Sequence, residues 1–338
     1  MPESLALLIL VIAVAIGFGI ANGFNDAANA IATVIGTRTL SPRAAITMAA
    51  FFNFLGAVTG TAIAMTIGKG IVAPEALTMS IVLAGAGAIV IWALVATYYG
   101  MPISLTHGLV AGLAGAGMAT SGTKVIVWGV LTRIISAVGI APLLGLVGGF
   151  LAMVAILWAF RESTPETVRR IFSNSQIVSA AFLAYSHGKN DGQMPIGLIT
   201  MALVTFYKDA SLWDRLSLLD PNMWWIIVVS AASISLGTAV GGWRVIETLG
   251  LKMTTLRPVH GFAAEASAAT IIEIASHLGI PVSTTHCITS AIMGVGATRR
   301  LSAVRWGIAR NIVLTWILTF PICGILGWLI ASLLKTAF

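Results

Sequence analysis

Two short acidic elements stand out in an otherwise apolar chain. Asn25-Asp26 and Asn190-Asp191 each lie among apolar or small residues. A carboxylate in such surroundings costs several kcal/mol unless it is paired, solvated or ligated to a cation. Each aspartate could have one of two roles. It could form a structural ion pair with an arginine or lysine, or its oxygens and those of the preceding asparagine could bind a small cation or a proton. A helix interrupted at this point adds free backbone carbonyls as ligands.

Two hydroxyl-rich elements supply complementary chemistry. Ser104 and Thr106 form one, and Ser283, Thr284 and Thr285 form the other, each after a proline that starts a helix well. Hydroxyls and unpaired N–H groups at a helix N-terminus suit an oxyanion, helped by the helix dipole. Two such termini would surround a tetrahedral anion with donors. The alternative is that these hydroxyls are bonded locally.

The histidines fall into different groups. His107 and His286 follow a threonine at matching positions, which indicates that they brace the helix start or carry a proton. His187 precedes the second Asn-Asp element, where the first has Asn22. Glu265 and Glu273 lie two turns apart on one helix face and are expected to face a cavity together. His260 and His277 are expected to be helix-end or packing residues.

These residues recur in two copies. Residues 100–119 align without gaps on 279–298, with seven of 20 positions identical. Residues 23–32 and 188–197 share Gly, Asn-Asp and Ile. Both halves have the same order, an Asn-Asp element followed by a Pro-x-Ser-x-Thr-His element, which indicates an internal repeat.

The elements that carry the motifs are membrane helices. Of the 338 residues, 58% are hydrophobic and only 9% charged, against roughly 25% in soluble domains. The sequence therefore predicts an all-α polytopic membrane protein with room for about ten spans. Two apolar runs are each expected to form two helices, broken near Pro142 and Pro321. The runs lie at about 4–24, 44–67, 78–99, 125–160, 177–207, 222–242, 259–278 and 303–335.

The most hydrophilic interior stretch divides the chain almost in half. We expect an N-terminal transmembrane repeat at 1–160, a cytoplasmic connecting loop at 161–176 and a C-terminal transmembrane repeat at 177–338. Five crossings per half would invert one repeat relative to the other. Each would also carry a re-entrant helical hairpin, at 100–119 or 279–298, and a broken helix. This is the usual architecture of secondary transporters.

Composition excludes several classes of protein. The net charge of +7 is scattered singly or in pairs between apolar runs, which does not predict a nucleic-acid partner. Cys287 and Cys323 lie in apolar stretches, so neither a disulfide framework nor a zinc site is indicated. The Ser-Thr-Thr-His run lacks a Gly-x-Ser-x-Gly elbow, and an enzyme with a cofactor is not expected.

At these motifs the sequence resembles the inorganic phosphate transporter family often called PiT. Segments that match its two signatures are NGFNDAANAIATVIGTRTLSPR at 22–43 and SHGKNDGQMPIGLI at 186–199; RPVHGFAAEASAA at 257–269 and GIPVSTTHCITSAIMGVGATRR at 279–300 are similar to bacterial members. The resemblance implies a homodimeric, multi-pass symporter of phosphate and a cation, Na+ or H+, in a bacterial inner membrane. It implies that the site combines both Asn-Asp pairs, Gln193 and the Ser/Thr positions of the hairpins.

One departure from the family pattern bears on substrate. Many members read Asn-Asp-x-Gln-Lys in the second copy, whereas here Gln193 is followed by Met194, although Lys189 lies just before Asn190. A sulfate or other oxyanion permease on the same scaffold is therefore an alternative, and an anion channel is a second. The bacterial character of 257–300 slightly favours protons over Na+ as the coupling ion.

Overall fold

The computed structural model describes residues 4–337 and is almost entirely helical. Across that range no β-strand forms, and the only strand-like pairing is an isolated bridge between Val72 and Ile126. The expected all-α class is confirmed. Residues 1–3 and 338, the outer limits of the two expected repeats, lie outside the described part of the chain.

Thirteen α-helices are arranged in two similar series in the described residues. The first series is α1 (Leu5–Gly36), α2 (Pro42–Ala57), α3 (Ala62–Gly70), α4 (Met79–Tyr98), α5 (Leu105–Ser121) and α6 (Trp128–Ala159). The second is α7 (Pro165–Asp191), α8 (Gln193–Tyr207), α9 (Trp224–Val240), α10 (Trp243–Glu247, continued by a π turn at Thr248–Lys252), α11 (Pro258–His277), α12 (Thr284–Ala297) and α13 (Trp306–Ala337).

Each series contains one sharply bent pair of helices. The bend is 67° between α2 and α3 and 65° between α9 and α10. The expected helix break at the Asn-Asp element is therefore found in the second half only. In the first half α1 continues through Asn25 and Asp26, and in the second α7 ends at Asp191, one residue before α8.

Each Gly-x-Pro element connects the two helices of a hairpin, α4–α5 or α11–α12. Gly100 and Gly279 have φ of +69° and +64°, which ends the first helix in a conformation suited to glycine. Pro102 and Pro281 then lie in extended connections. They do not start the next helix, as the sequence suggested, because α5 and α12 begin three residues later, at Leu105 and Thr284.

The two longest apolar runs are each a single helix, so the expectation of two helices in each was wrong. α6 and α13 both have 32 residues and contain Pro142 and Pro321 in mid-helix. Membrane helices tolerate proline because neighbouring groups satisfy the carbonyl that it frees. At 1.5 Å per residue, such a helix is about 48 Å long and exceeds the hydrocarbon core of about 30 Å unless it tilts.

The hydrophilic stretch between the halves is not a loop for most of its length. Only 160–164 is non-helical, and α7 begins at Pro165 with Thr164 as its N-cap. Phe172 and Gln176 are already buried. The expected connecting loop at 161–176 therefore shortens to a few residues, because its polar side chains lie on a helix that enters the protein.

Among the described residues, four helices are long and apolar enough to span a bilayer. Counting each bent pair as one span raises the number to six, against the ten expected. The four are α1, α4, α6 and α13. Helices such as α7 fall short because they carry buried polar residues, which include His187, Asn190 and Asp191.

The two halves pack against each other reciprocally. α5 packs on α13 and α12 on α6, while α1 packs on α9 and α7 on α2. Every one of these contacts joins an element of one half to an element of the other. Such exchange is what a two-fold relation between the halves produces.

Glycines allow these helices to approach closely. A Cβ on Gly145 of α6 would lie 2.5 Å from the carbonyl oxygen of Cys287 in α12, and one on Gly149 would lie 2.5 Å from that of Ala291. A Cβ on Gly23 of α1 would collide with the Ile234 carbonyl of α9. Small residues at crossings are the usual means of tight helix association in membranes.

We predict that Gly145→Ala destabilises the protein, because the added methyl forces α6 and α12 apart. The expected loss is about 1–3 kcal/mol, the usual size of overpacking, measured as a lower melting temperature in detergent. Gly139→Ala, in the same helix but with nothing within 4 Å of its Cβ, is the matched control. Equal melting temperatures for the two variants would contradict the proposed role of the glycine contact.

Candidate functional site

The two aspartates of the repeated elements meet at one histidine. The Nε2 atom of His187 lies 3.7 Å from Oδ2 of Asp26 and 3.7 Å from Oδ2 of Asp191. One ligand atom from each of the three side chains lies within 4.8 Å of the others. The residues are at most 2% exposed. The structure therefore brings together two acidic residues 165 positions apart in the sequence.

The hydrogen bonds of His187 place its Nε2 lone pair towards these acids. Asn53 donates from Nδ2 to Thr238 Oγ1 over 2.8 Å, so its Oδ1 faces His187 Nδ1, 2.8 Å away. Nδ1 must then be the donor. A neutral ring would direct the lone pair of Nε2 at two carboxylates. A proton or a cation between them removes that repulsion.

One face of α1 presents a row of asparagines to this centre. Asn22 donates to Asp191 Oδ2 over 3.2 Å, and Asn29 donates to the hydroxyls of Thr284 and Thr285 over 3.1 and 3.0 Å. The Oδ1 atoms of Asn22, Asn25 and Asn29 are buried and have no hydrogen-bond partner. Unpaired buried carbonyl oxygens are costly, and they are good ligands for a hard cation.

The tips of the two hairpins are joined by a reciprocal pair of hydrogen bonds. Thr106 donates to the Val282 carbonyl over 3.2 Å, and Thr285 donates to the Ile103 carbonyl over 2.8 Å. These bonds link equivalent atoms of the two repeats. Both tips therefore meet at the same point in the protein.

The second hairpin tip also contacts the acidic centre directly. The hydroxyl of Thr285 lies 3.2 Å from Asp26 Oδ1, and that of Thr284 lies 3.4 Å from Asp26 Oδ2. The serines have another role: Ser104 and Ser283 cap α5 and α12 by accepting from the N–H of His107 and His286. The serine oxygens thus accept hydrogen bonds within their own helix starts, whereas the threonine hydroxyls bond to the other half of the protein.

The histidines that follow the threonines pack behind the tips. The rings of His107 and His286 lie 5.0 Å apart, with Phe320 stacked on the first and Trp316 against the second. They belong to the aromatic packing between the hairpins and α13.

The remaining amides of the predicted site differ in what they contact. Asn190 donates to Asp191 Oδ1 and to the Val282 carbonyl over 2.6 and 2.8 Å, so it holds the second hairpin tip beside the acids. Gln193 accepts from Ile63 N over 2.8 Å and donates to the Lys189 carbonyl over 2.6 Å. Its amide is therefore used at the start of α3 and at the end of α7.

Glu265 and Glu273 do not face one cavity, so that expectation was wrong. Glu265 is fully buried and bonded to Gln176, 2.9 Å away, and to Ser179. Glu273 pairs with Lys189 and lies 3.4 Å from His277. The first acid joins α11 to α7 within the core, and the second lies nearer the surface. His277 is the last residue of α11, as expected of a helix-end residue, and it belongs to this second group.

All ten residues predicted for the site are buried, each at most 2% exposed. Lysine or arginine forms no ion pair with Asp26 or Asp191 in the described residues. A structural partnership with a basic side chain is therefore not what holds these acids. The site is closed to solvent, rich in oxygen atoms and without a fixed full positive charge.

Sequence reasoning missed several residues that the structure adds to the site. Asn29 and His187 contact the central groups, and Asn53 and Thr97 orient them. The signal for Asn29 is present in the sequence: Asn22, Asp26 and Asn29 are spaced by four and three residues, which places polar groups on one face of a helix. Asn53 had no comparable signal, because its role depends on how α2 packs on α7.

Comparison with known proteins agrees with this arrangement. The chain matches the phosphate transporter family over residues 22–167 and 159–327. It is 41% identical over 322 residues to a probable low-affinity inorganic phosphate transporter of Rhizobium meliloti (strain 1021), which covers 95% of this chain and 94% of that protein. It is 40% identical over 336 residues to a protein of the same description from Bacillus subtilis (strain 168), with 99% of both chains covered.

A solved structure also matches. It is described as the sodium-dependent phosphate transporter, with a TM-score of 0.86 and 27% identity, and the match covers 99% of this chain and 100% of that one. These proteins are transporters, as expected, and not enzymes. The repeated motifs, the helical membrane fold and the full-length similarity lead to one conclusion: the chain belongs to the phosphate transporter family.

Proposed function

We propose that this protein is a Na+-coupled symporter of inorganic phosphate that works by alternating access. The observation that carries the proposal is the convergence of Asp26, Asp191 and His187 with the hydroxyls of the second hairpin tip. One site there can hold both a cation and an oxyanion. The sodium dependence of the structurally similar transporter supports the choice of ion.

The oxygen atoms around the acids favour Na+ over a proton. Besides the carboxylates, three buried amide oxygens lack partners, on Asn22, Asn25 and Asn29. A proton needs one acceptor, whereas Na+ needs several hard oxygen ligands. We therefore set aside the slight preference for protons that the sequence suggested. The proposed cation ligands are Asn25, Asp26, Asn190 and Asp191, and the unpartnered amide oxygens of Asn22 and Asn29 support including these two residues as well.

Phosphate would dock on the hairpin tips. The hydroxyl of Thr284 is directed to Asp26, and the single hydroxyl proton of Thr285 is shared between Asp26 and the Ile103 carbonyl. When Na+ neutralises the carboxylate, those hydroxyls can turn to an oxyanion at the N-termini of α5 and α12, where the helix dipoles add attraction. Ser104, Thr106 and Ser283 lie at the same tips. Gln193 is left out, because its amide is engaged elsewhere.

Electrostatics then requires coupling. Two unneutralised carboxylates beside an anion in a low-dielectric cavity repel it by several kcal/mol. Bound Na+ offsets part of that negative charge and weakens the repulsion, so phosphate binds well only after the cation. The release of Na+ on the far side expels phosphate again. This order follows because, among residues 4–337, no lysine or arginine forms an ion pair with Asp26 or Asp191.

Movement of the two halves would open the site to each side in turn. The reciprocal packing of the helices supports a division into repeats at 1–160 and 177–338. We propose that the repeats are inverted in the bilayer, that the hairpins are re-entrant and that the link near 161–164 is cytoplasmic. We further propose a homodimer in a bacterial inner membrane, in line with the bacterial relatives.

Neutralising either aspartate should abolish coupled transport. We expect Asp26→Asn and Asp191→Asn each to lower Na+-driven phosphate uptake into proteoliposomes by at least about 100-fold, because each removes a charge that binds the coupling ion. Asp209→Asn, a partly exposed acid outside the site, is the control. Wild-type rates in both single variants would exclude the mechanism.

The coupling ion can be tested with separate gradients. We expect an imposed Na+ gradient to drive phosphate accumulation above equilibrium and an imposed pH gradient alone to leave it near background. Uptake driven only by the pH gradient would replace Na+ by H+ in the proposal. Flux that needs neither gradient and never accumulates phosphate would indicate a channel.

Competition by sulfate distinguishes the two oxyanion substrates. Hydrogen phosphate carries a proton that it can donate to a carboxylate, whereas sulfate at neutral pH has none. We therefore expect a 100-fold excess of sulfate to reduce labelled phosphate uptake by less than about twofold, with unlabelled phosphate as the positive control. Strong inhibition by sulfate would favour a general oxyanion permease.

A further inference from the structure

One group of charged side chains lies next to the site without belonging to it. Lys189 immediately precedes Asn190, and its ammonium pairs with the carboxylate of Glu273 in α11. The imidazole of His277, one turn further along α11, lies 3.3 Å from Lys189 Nζ and 3.4 Å from Glu273 Oε1. We call Lys189, Glu273 and His277 the ionic cluster.

The ionic cluster runs from the interior to the surface. The side chains of Lys189, Glu273 and His277 are 9%, 19% and 72% exposed, respectively. At the inner end, Lys189 adjoins Asn190, which is bonded to the hairpin tip at Val282. The cluster therefore extends from the surface to the residue that precedes Asn190 of the buried site. It joins α7 to the helix that leads into the second hairpin.

The equivalent positions in the first half have different chemistry. The repeat aligns Lys189 with Phe24, Glu273 with Leu94 and His277 with Tyr98. Phe24, Leu94 and Tyr98 line one shallow pocket on the protein, so they too are neighbours. The same three places are thus ionic in one half and apolar or aromatic in the other.

The apolar group is closed by an arginine from the bent helix pair. The guanidinium of Arg244 lies 4.6 Å from the centre of the Tyr98 ring and donates to the Tyr98 carbonyl. In the repeat, Thr248 donates to the Gly100 carbonyl as Thr66 donates to the Gly279 carbonyl. These two bonds show that Thr248 is equivalent to Thr66, and four residues earlier Arg244 is then equivalent to Ala62. The ionic cluster therefore has alanine where the apolar group has Arg244. The two groups are closed by different interactions.

We propose that the Lys189–Glu273 ion pair is a latch that closes the site to solvent at one end, which we call one mouth of the site. The mouth at the other end is closed by Phe24, Leu94, Tyr98 and Arg244. The inference rests on the proposed inverted repeats, which place the two groups at opposite ends of the site. Opening of the latch separates α7 from α11, and the charges that separate must be solvated by entering water. Opening of the other mouth breaks a cation–π contact and exposes apolar surface.

The latch predicts which substitutions make the site accessible. Ser276, between Glu273 and His277, is 2% exposed, and its equivalent Thr97 is 4% exposed. Single cysteines at these positions, Ser276→Cys and Thr97→Cys, report on the two mouths. They are placed in a background without the buried cysteines, Cys287→Ala and Cys323→Ala. The readout is the rate of labelling by a charged, water-soluble thiol reagent in lipid nanodiscs.

We expect Glu273→Gln to raise the labelling rate of Ser276→Cys by about tenfold, because the closed state loses its ion pair. The rate at Thr97→Cys should stay within about twofold. Exchange of the charges, Lys189→Glu with Glu273→Lys, should return Ser276→Cys to its original rate. Glu247→Gln, which breaks an exposed ion pair with Lys252 at 3.1 Å, is the matched control and should change neither rate.

Three results would overturn the latch: an unchanged rate at Ser276→Cys, an equal rise at both cysteines, or no recovery on charge exchange. If Glu273→Gln does not purify as a folded protein, the double change Lys189→Gln with Glu273→Gln removes both charges together and carries the same expectation. Labelling needs no transport. If the wild-type protein shows no Na+-driven phosphate uptake, the proposed function is overturned. If Glu273→Gln leaves the labelling rate unchanged, only the latch is overturned.

Discussion

The constraint on which the structure depends is the burial of two carboxylates that form no ion pair with a lysine or arginine in the described part of the chain. Asp26 and Asp191 are held by asparagines, threonines and one histidine, which orient the acids but add no fixed full positive charge. A pair of this kind is stable only when a mobile cation or proton shares its charge. A fixed arginine would have stabilised the acids permanently and removed the need for a second ion.

The rest of the fold serves to assemble this centre from distant segments. The acids come from α1 and from the end of α7, while the hydroxyls come from hairpins that each pack on a long helix of the other half. Glycines at the crossings bring the backbones close enough for side chains as short as threonine to reach an aspartate. The site therefore depends on helix packing far more than on any single loop.

Much of this arrangement could be predicted from the sequence, because repeats leave a signal that needs no structure. The paired Asn-Asp and Ser/Thr elements predicted one shared site, and the structure brings Asp26 and Thr285 together. Details set by three-dimensional packing were missed: Pro142 and Pro321 do not break their helices, Gln193 caps α3, and residues after 164 form a helix. Hydropathy cannot reveal a helix such as α7, whose polar residues face the interior.

The departures from two-fold symmetry carry as much information as the symmetry itself. At the centre, His187 replaces the equivalent Asn22, so one imidazole lies between two acids that the repeat alone would make identical. Towards the surface, an ion pair in one half replaces apolar contacts in the other. A perfectly symmetric carrier would have the same energy whether it faced inwards or outwards. In the proposed alternating-access cycle, different side chains at equivalent places would give the inward- and outward-facing states different energies and so set the resting orientation.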